Sequence, residues 1–223
     1  MRSERFILIP GLGADYRLFE PQRAHGFEFE VPPLLIPERH DTMRTYAARI
    51  RDALQLDGPC VVGGVSFGGM IACELGALCR ARCVLMIASC RSRASIPSYY
   101  WYVERFTRIL PDALIRHRVA MSSRIMARLE SLSHEQFLLV REMAMGIPIP
   151  FLRGAGRMIL NWDGVASPPC PSYHIHGDID RIIPLRKVRP DAVVPHGGHL
   201  INMTHADQVN RFIEKHLPKI VSG

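Results

Sequence analysis

Apolar runs of strand length alternate with helical patterns along both ends of this chain, and this alternation constrains the fold more than any other feature. Each run is followed by a turn, and most then lead into a segment with apolar residues at helical spacing. Strands and helices in this order build a mostly parallel sheet with helices on both faces, so an α/β fold is predicted. The predicted strands are Phe6–Ile9, Phe27–Val31, Cys60–Val65, Cys83–Ala88, Tyr173–His176 and Ala192–Val194.

Helices are predicted from capping residues and from apolar stripes. Asp41 is the expected N-cap of a helix over residues 42–56. Ser133 and Gln136 have the spacing of a capping box, which predicts a helix that begins beside them. Further helices are predicted over residues 68–78 and 209–217.

The alternation stops in the middle of the chain, where residues 91–162 contain helix-like pieces and no predicted strand. A segment of roughly 70 residues is far longer than the connections within compact domains. We therefore predict that residues 1–90 and 163–223 form the core and that residues 91–162, the inserted segment, form a helical unit. The aromatic and methionine side chains that could line an apolar pocket there are Tyr99, Tyr100, Trp101, Tyr102, Phe106, Phe137, Phe151, Trp162, Met121, Met126, Met143, Met145 and Met158.

The composition of the 223 residues, 48% apolar and 22% charged, is that of one ordinary globular domain. No apolar run approaches the ~18 residues of a membrane-spanning helix, and the first apolar run is too short for a secretory leader. The six cysteines form neither a CxxC pair nor zinc-ligand spacing, which favours reduced thiols used in packing. We therefore expect a cytoplasmic monomer or homodimer without an integral membrane segment.

Most of the net charge of +7 lies in the inserted segment. Residues 91–160 contain eleven arginines and five acidic residues, whereas the rest of the chain has 17 basic and 16 acidic residues. A nucleic-acid partner would require a wider basic surface, so none is predicted. The arginines either attract an anionic substrate or an acidic membrane surface, or they form a solvated cationic face.

The motif that indicates chemistry is Gly64-Val65-Ser66-Phe67-Gly68, which lies between an apolar strand and a helix. A nucleophile at such a sharp turn is held in a strained backbone conformation. Bulky residues two positions before and after it would collide, and Gly64 and Gly68 occupy those positions. The turn lifts the hydroxyl of Ser66 above the sheet edge and directs the amide of Phe67 toward a developing oxyanion.

A serine hydroxyl at neutral pH needs a base, and an acid must orient that base. Two candidate acids, Asp178 and Asp180, follow a predicted strand at the sheet edge where ligands bind in open α/β folds. Two candidate bases, His196 and His199, follow the last predicted strand in a loop that contains glycine.

A metal site is an alternative interpretation of the histidines and aspartate over residues 174–178. His174, His176 and Asp178 have the H-x-H-x-D spacing of metallo-β-lactamase-like hydrolases, and strand alternation would place both histidines on one face. In those enzymes the motif normally lies early in the fold, and too little chain follows it here. The serine motif is therefore preferred, and no metal or cofactor is predicted.

In chain order, these motifs resemble the α/β-hydrolase superfamily. The spacing in that family, with the acid three residues after glycine and four before proline, selects Asp180 over Asp178. A histidine directly after two glycines selects His199 over His196. The motifs that carry the resemblance are Pro10-Gly11-Leu12-Gly13, Gly64-Val65-Ser66-Phe67-Gly68, Gly177-Asp178-Ile179-Asp180…Pro184 and Gly197-Gly198-His199.

The resemblance implies a role for each of these positions. Ser66 would be the nucleophile, Asp180 the orienting acid and His199 the general base. The backbone N–H groups of Leu12 and Phe67 would bind the oxyanion. The inserted segment would be the lid that this family carries at the same place in the chain.

The function expected from these features is hydrolysis of carboxylic esters with short or medium acyl chains through an acyl-enzyme intermediate. The expected partner is a small ester with an apolar portion. The alternatives are a thioesterase on an anionic acyl thioester, a lyase of the same fold, and a non-catalytic ligand-binding member. A lyase of this kind usually uses a titratable cation in the lid, and the chain's lysines all lie outside the inserted segment: Lys187, Lys215 and Lys219.

Overall fold

The computed structural model describes residues 4–33, 35–98, 100–102, 105, 109–165 and 169–217. Five strands form one sheet in the order β1-β2-β3-β4-β5, and every neighbouring pair is parallel. The predicted parallel α/β sheet is therefore confirmed. The strands are β1 (Arg5–Ile9), β2 (Cys60–Val65), β3 (Ala81–Ile87), β4 (Ser172–Gly177) and β5 (Ala192–Val194).

Helices cover both faces of this sheet. Alternate strand residues enter opposite clusters, so that Ile7 and Val62 pack on one face while Leu8 and Val61 pack on the other. Within the described residues, no helix is both long enough and apolar enough to cross a bilayer. The helices are α1 (Glu20–Ala24), α2 (Met43–Leu54), α3 (Phe67–Leu78), α4 (Asp112–Leu129), α5 (His134–Gly146), α6 (Ile149–Leu160), α7 (Ile201–Thr204) and α8 (Ala206–His216).

The capping signals in the sequence were right for α5 and wrong for α2. Ser133 and Gln136 form the predicted capping box at the start of α5. At α2 the N-cap is Thr42, whose hydroxyl accepts from the amide of Thr45, and not Asp41. The carboxylate of Asp41 instead accepts a hydrogen bond from the amide of Glu38 at 2.7 Å, which stabilises the turn before the helix.

The predicted strand Phe27–Val31 is wrong. Only Glu30 pairs there, in an isolated parallel bridge to Ile7. The amide of Glu30 donates to Phe6 at 2.8 Å, and its carbonyl accepts from Leu8 at 2.9 Å. The prolines that follow, Pro32 and Pro33, have no amide hydrogen, so the pairing cannot continue as a regular ladder.

The described residues of the inserted segment contain α4, α5 and α6 and no strand. Helix α6 packs onto the core, because Phe151, Ala155 and Met158 are buried in the same cluster as α2 and α3. Tyr99 and Phe106 lie outside the described residues. The division of the chain at residues 91 and 162 stays a prediction.

All six cysteines are free thiols, as the absence of a disulfide pattern predicts. Cys60, Cys73, Cys83 and Cys90 are buried. The thiol of Cys60 lies 3.5 Å from that of Cys79. Burial raises the pKa of the Cys73 thiol to about 12, so this group stays protonated and acts as a packing residue.

Candidate active site

The candidate groups converge because they follow the carboxyl ends of parallel strands. Ser66 comes directly after β2, and Asp180 lies three residues beyond β4. His199 lies five residues beyond β5, and the loop that contains Leu12 follows β1. Since all of these strands run in one direction, their carboxyl ends meet at one edge of the sheet, where open α/β folds bind ligands.

Ser66 occupies a strained turn between β2 and α3. Its backbone has φ +54° and ψ −120°, a conformation that side-chain-bearing residues rarely adopt. A Cβ atom on Gly64 would overlap the backbone of Gly68, and a Cβ atom on Gly68 would overlap the carbonyl of Ile9. The Ser66 amide donates to the carbonyl of Ile87 at 2.9 Å, which stabilises the turn. The predicted need for two glycines here is confirmed.

The structure brings Ser66, His199 and Asp180 into one hydrogen-bonded chain. Ser66 Oγ lies 2.9 Å from His199 Nε2, and His199 Nδ1 lies 2.7 Å from Asp180 Oδ2. Because a carboxylate only accepts, Nδ1 of His199 carries the proton and Nε2 presents a lone pair. The Ser66 hydroxyl can then donate to Nε2, which is the arrangement that activates a serine nucleophile.

Asp180 is buried and fully engaged. Its Oδ1 accepts from the amides of Ile182 at 2.8 Å and Ile183 at 2.9 Å. Burial raises the pKa of Asp180, but the neighbouring His199 and the hydrogen bonds outweigh it, so the pKa lies below its ordinary value. Asp180 is therefore ionised at neutral pH. Asp178, the other candidate acid, is exposed and lies outside this hydrogen-bonded chain.

His199 is 5% exposed, and two carboxylates influence its imidazole. Burial lowers the pKa of His199. The charge and hydrogen bond of Asp180, together with the charge of Glu130, raise it by more, so the pKa lies above the ordinary histidine value. His199 therefore binds a proton more readily than a free histidine. The other candidate base, His196, is exposed.

Glu130 is a site residue that the sequence pattern did not predict. It is the C-cap of α4, and its carboxylate accepts from the amides of His199 at 2.6 Å and Leu200 at 3.0 Å. A Cβ atom on Gly198 would overlap this carboxylate, so the close approach requires glycine. One signal was available, because an acidic residue at a helix C-terminus is unfavourable for the helix dipole and needs another reason to be there.

The two histidines of the H-x-H-x-D pattern are buried and bonded to protein groups. Nε2 of His176 donates to the carbonyl of Ile183 at 2.7 Å, and Nε2 of His174 lies 3.1 Å from Nδ1 of His176. Burial lowers the pKa of both, that of His174 to about 3, so both stay neutral. Among the described residues, no group of three or more potential ligands could hold a metal ion.

Two backbone segments predicted to bind an oxyanion border Ser66. Phe67 is the first residue of α3, so its amide is one of those without a carbonyl partner inside the helix. The loop after β1 packs against the serine, because a Cβ atom on Gly11 would lie 3.4 Å from Ser66 Cβ. Leu12 in this loop lines the space above Ser66.

Two cavities meet at Ser66 and His199. The smaller, of about 270 Å³, extends along the loop after β1 toward α5. The larger, of about 430 Å³, extends between α4 and α6 and is mostly apolar. The side chains that line both are Leu12, Ser66, Val119, Ser122, Met126, Leu152 and His199.

Of the inserted-segment side chains that were predicted to line a pocket, some line the two cavities and others pack in the core. Tyr100 and Met126 line the larger cavity, and Met143 lines the smaller one. Trp162 is buried, and its indole N–H donates to the carboxylate of Glu74 at 2.7 Å. The pocket prediction is therefore right for some of these residues, whereas others stabilise the core.

A third cavity, of about 640 Å³, lies behind the loop after β1. Its walls include Ile9, Tyr46 and Phe151, and neither Ser66 nor His199 is among the described residues that line it. Its greater volume therefore does not make it the reaction site, because a substrate there would not contact the serine.

Comparisons with known proteins agree with this architecture. Residues 6–212 match the family model described as the alpha/beta hydrolase family. No curated protein sequence matches significantly. Among solved structures, a thermophilic esterase from Thermogutta terrifontis, with malate bound, has a TM-score of 0.73 and 21% identity, over 97% of this chain and 90% of that chain.

Two further solved structures have the same fold at lower identity. An enol-lactonase from Burkholderia xenovorans LB400 has a TM-score of 0.71 and 16% identity, over 97% of this chain and 92% of that chain. A meta-cleavage product hydrolase from Pseudomonas fluorescens IP01 has a TM-score of 0.65 and 18% identity, over 96% and 90% of the two chains. Similarity at these identities shows a shared fold.

Proposed function

Since the chain belongs to the alpha/beta hydrolase family, we propose that it is a serine hydrolase that cleaves carboxylic esters. The observation that carries this proposal is the hydrogen-bonded chain from Ser66 through His199 to Asp180, with distances of 2.9 and 2.7 Å. An esterase and an enol-lactonase, which also act on ester bonds, are among the solved structures of the same fold.

In the acylation half of the reaction, Ser66 Oγ attacks the ester carbonyl while His199 Nε2 takes its proton. Asp180, held ionised by its surroundings, stabilises the imidazolium that forms. The amides of Leu12 and Phe67 donate to the oxyanion of the tetrahedral intermediate. His199 then gives the proton to the leaving alcohol, and the acyl group stays on Ser66.

In the deacylation half, His199 accepts a proton from a water molecule that attacks the acyl carbonyl. The same amides stabilise the second oxyanion, and its collapse releases the acid while His199 returns its proton to Ser66 Oγ. Every group needed for both halves is a side chain or amide of this chain, so the proposed reaction requires no cofactor.

The cavity volumes support esters with short or medium acyl chains. Cavities of about 270 and 430 Å³ meet at the serine, so one can hold the acyl group and the other the alcohol. These volumes lie at or below the lower end of the usual range for small-molecule sites, about 300–1,000 Å³. The apolar walls around Met126 and Leu152 favour hydrocarbon over charged chain atoms along most of their length.

The test is hydrolysis of a series of p-nitrophenyl esters from acetate to palmitate. We expect turnover of the shorter members and a loss of about 10⁴-fold or more in kcat for Ser66→Ala. A fluorophosphonate probe should label the wild type at Ser66 only. Ser66→Gly is a second inert variant, since glycine adopts the positive φ of this turn without strain.

Ser98→Ala is the matched control, because Ser98 is exposed and lies in a turn outside the hydrogen-bonded chain. It should keep wild-type rates and labelling. If the folded wild type cleaves no ester in the series and the probe does not label Ser66, the proposed function is wrong.

A further inference from the structure

The larger cavity has a charge that hydrolysis of a neutral ester does not require. Arg118 and Arg153 line it, and no aspartate or glutamate is among its described lining residues. The remaining wall is mostly apolar, with side chains such as Ile115 and Ile159. Positively charged side chains beside an apolar wall favour an anionic group at that place.

Arg118 lies on the face of α4 that forms the wall of this cavity. Ile115, Arg118, Ser122 and Met126 recur at helical spacing, and all four line the larger cavity. Ser122 and Met126 also line the smaller cavity where it meets Ser66. Arg118 is absent from the smaller cavity, so it lies on the part of the wall away from that junction.

Two neighbouring arginines bind protein groups, whereas no bond to Arg118 is found among the described residues. Arg153 donates to the carbonyl of Leu110 and to Asp112 at 2.7 and 2.8 Å. Arg116 donates to two backbone carbonyls at the end of α5. Among the described residues, no carboxylate or carbonyl lies within hydrogen-bonding distance of the guanidinium of Arg118, which is exposed at the cavity wall.

We propose that Arg118 binds a carboxylate at the far end of the substrate. The preferred substrates are then monoesters in which a short chain lies in the larger cavity and ends in a carboxylate. The apolar wall binds the methylene groups, and the guanidinium of Arg118 pairs with the carboxylate. The planar fork of arginine matches a carboxylate better than a lysine ammonium would. This inference rests on the proposed function, because it assigns a substrate class to the same site.

The test compares anionic and neutral esters of equal length. The mono-p-nitrophenyl esters of adipic and suberic acids carry the anion on the acyl side, and methyl p-nitrophenyl adipate is the neutral partner. A second pair, 4-butanoyloxybenzoate and its methyl ester, carries the anion on the leaving group. We expect Arg118→Gln to lower kcat/KM about 5- to 50-fold for the anionic member of at least one pair and to leave the neutral members unchanged.

Two variants show whether the effect belongs to this guanidinium. Arg124→Gln removes the same charge from the same helix, but Arg124 is exposed and does not line the cavity, so both substrate classes should keep their rates. Arg118→Lys keeps the charge and loses the fork, so it should keep part of the preference. Added salt should reduce the preference of the wild type for the anionic ester.

A binding measurement separates this inference from the proposed function. Calorimetric titration of Ser66→Ala with the anionic and neutral esters needs no turnover, and Arg118→Gln in the same background should lose the anionic preference. If the esters are cleaved but Arg118→Gln affects both classes alike, or has no effect, the carboxylate site is wrong and the hydrolase stands. If no ester is cleaved and binding still depends on Arg118, the hydrolase is wrong and the site stands.

Discussion

Glu130→Gln tests how the base is held in place. The wild-type carboxylate accepts from two successive amides, those of His199 and Leu200, at 2.6 and 3.0 Å. Glutamine has nearly the same size but only one oxygen. The NH₂ group of glutamine is a donor and would lie against the second backbone N–H, which is also a donor. At least one of the two hydrogen bonds is therefore lost.

The geometry sets the size of the expected effect. A hydrogen bond to a charged group contributes about 1.5–3 kcal/mol, so the free energy of unfolding should fall by about 1–3 kcal/mol. Displacement of a catalytic group by about 1 Å costs roughly 10²-fold in rate. Because His199 stays in its loop and only its support weakens, we expect kcat/KM to fall about 10- to 100-fold.

The pH dependence of the rate distinguishes an electrostatic effect of Glu130 on His199 from a merely more mobile His199 loop. Burial lowers the pKa of His199, while Asp180 and, to a smaller extent, Glu130 raise it. Removal of the Glu130 charge makes the imidazolium less stable, so the pKa of His199 falls. The base must be neutral to act, and the acid limb of kcat/KM reports its pKa in the free enzyme. That limb should therefore move to lower pH.

The assay is hydrolysis of a short p-nitrophenyl ester from about pH 5 to about pH 9, across the range in which histidine titrates. Glu135→Gln is the matched control, because Glu135 is an exposed residue in the first turn of α5 and carries the same charge. It should leave the acid limb in place. An acid limb of Glu130→Gln that stays where it is, or moves to higher pH, would refute the reasoning.

Two further variants test other contacts of the structure. Asp180→Asn should lower kcat about 10³- to 10⁴-fold in the ester assay, because the amide no longer holds the His199 tautomer. Asp178 is exposed, so Asp178→Asn should keep nearly the wild-type kcat. Equal losses in the two variants would contradict the assignment of Asp180. Trp162→Phe removes the indole N–H that donates to the buried carboxylate of Glu74. The free energy of unfolding, measured by urea denaturation, should fall by about 1–3 kcal/mol. An unchanged urea midpoint would show that this hydrogen bond does not stabilise the fold.

The parts of the fold that follow from local pattern could be predicted from the sequence. β2 and β5 have the predicted bounds, because short apolar runs bordered by turns favour buried strands. The serine turn follows from steric demands within five residues, so Gly64 and Gly68 could be assigned their positions. The meeting of Ser66 and His199 follows from the common direction of parallel strands.

The parts that depend on how distant segments pack could not be predicted. Glu130 reaches the His199 loop only because the end of α4 lies against it, and 69 residues separate the two positions. The hydrogen bond from Trp162 to Glu74 likewise joins the end of the inserted segment to α3. The predicted strand around Glu30 also failed, because pairing with β1 depends on how this segment lies against the sheet, and only Glu30 forms a bridge there.

Helix α4 contributes both to the wall of the cavities and to the position of His199. One face, with Val119 and Met126, forms the wall where both cavities meet the serine. Its C-cap, Glu130, binds the backbone of the base loop. The nucleophile and the acid lie on strand ends of the core, so their positions do not depend on α4 in this way. A substrate that displaces this helix would therefore shift His199 relative to Ser66, and a substrate that fits against it leaves the 2.9 Å contact between them intact.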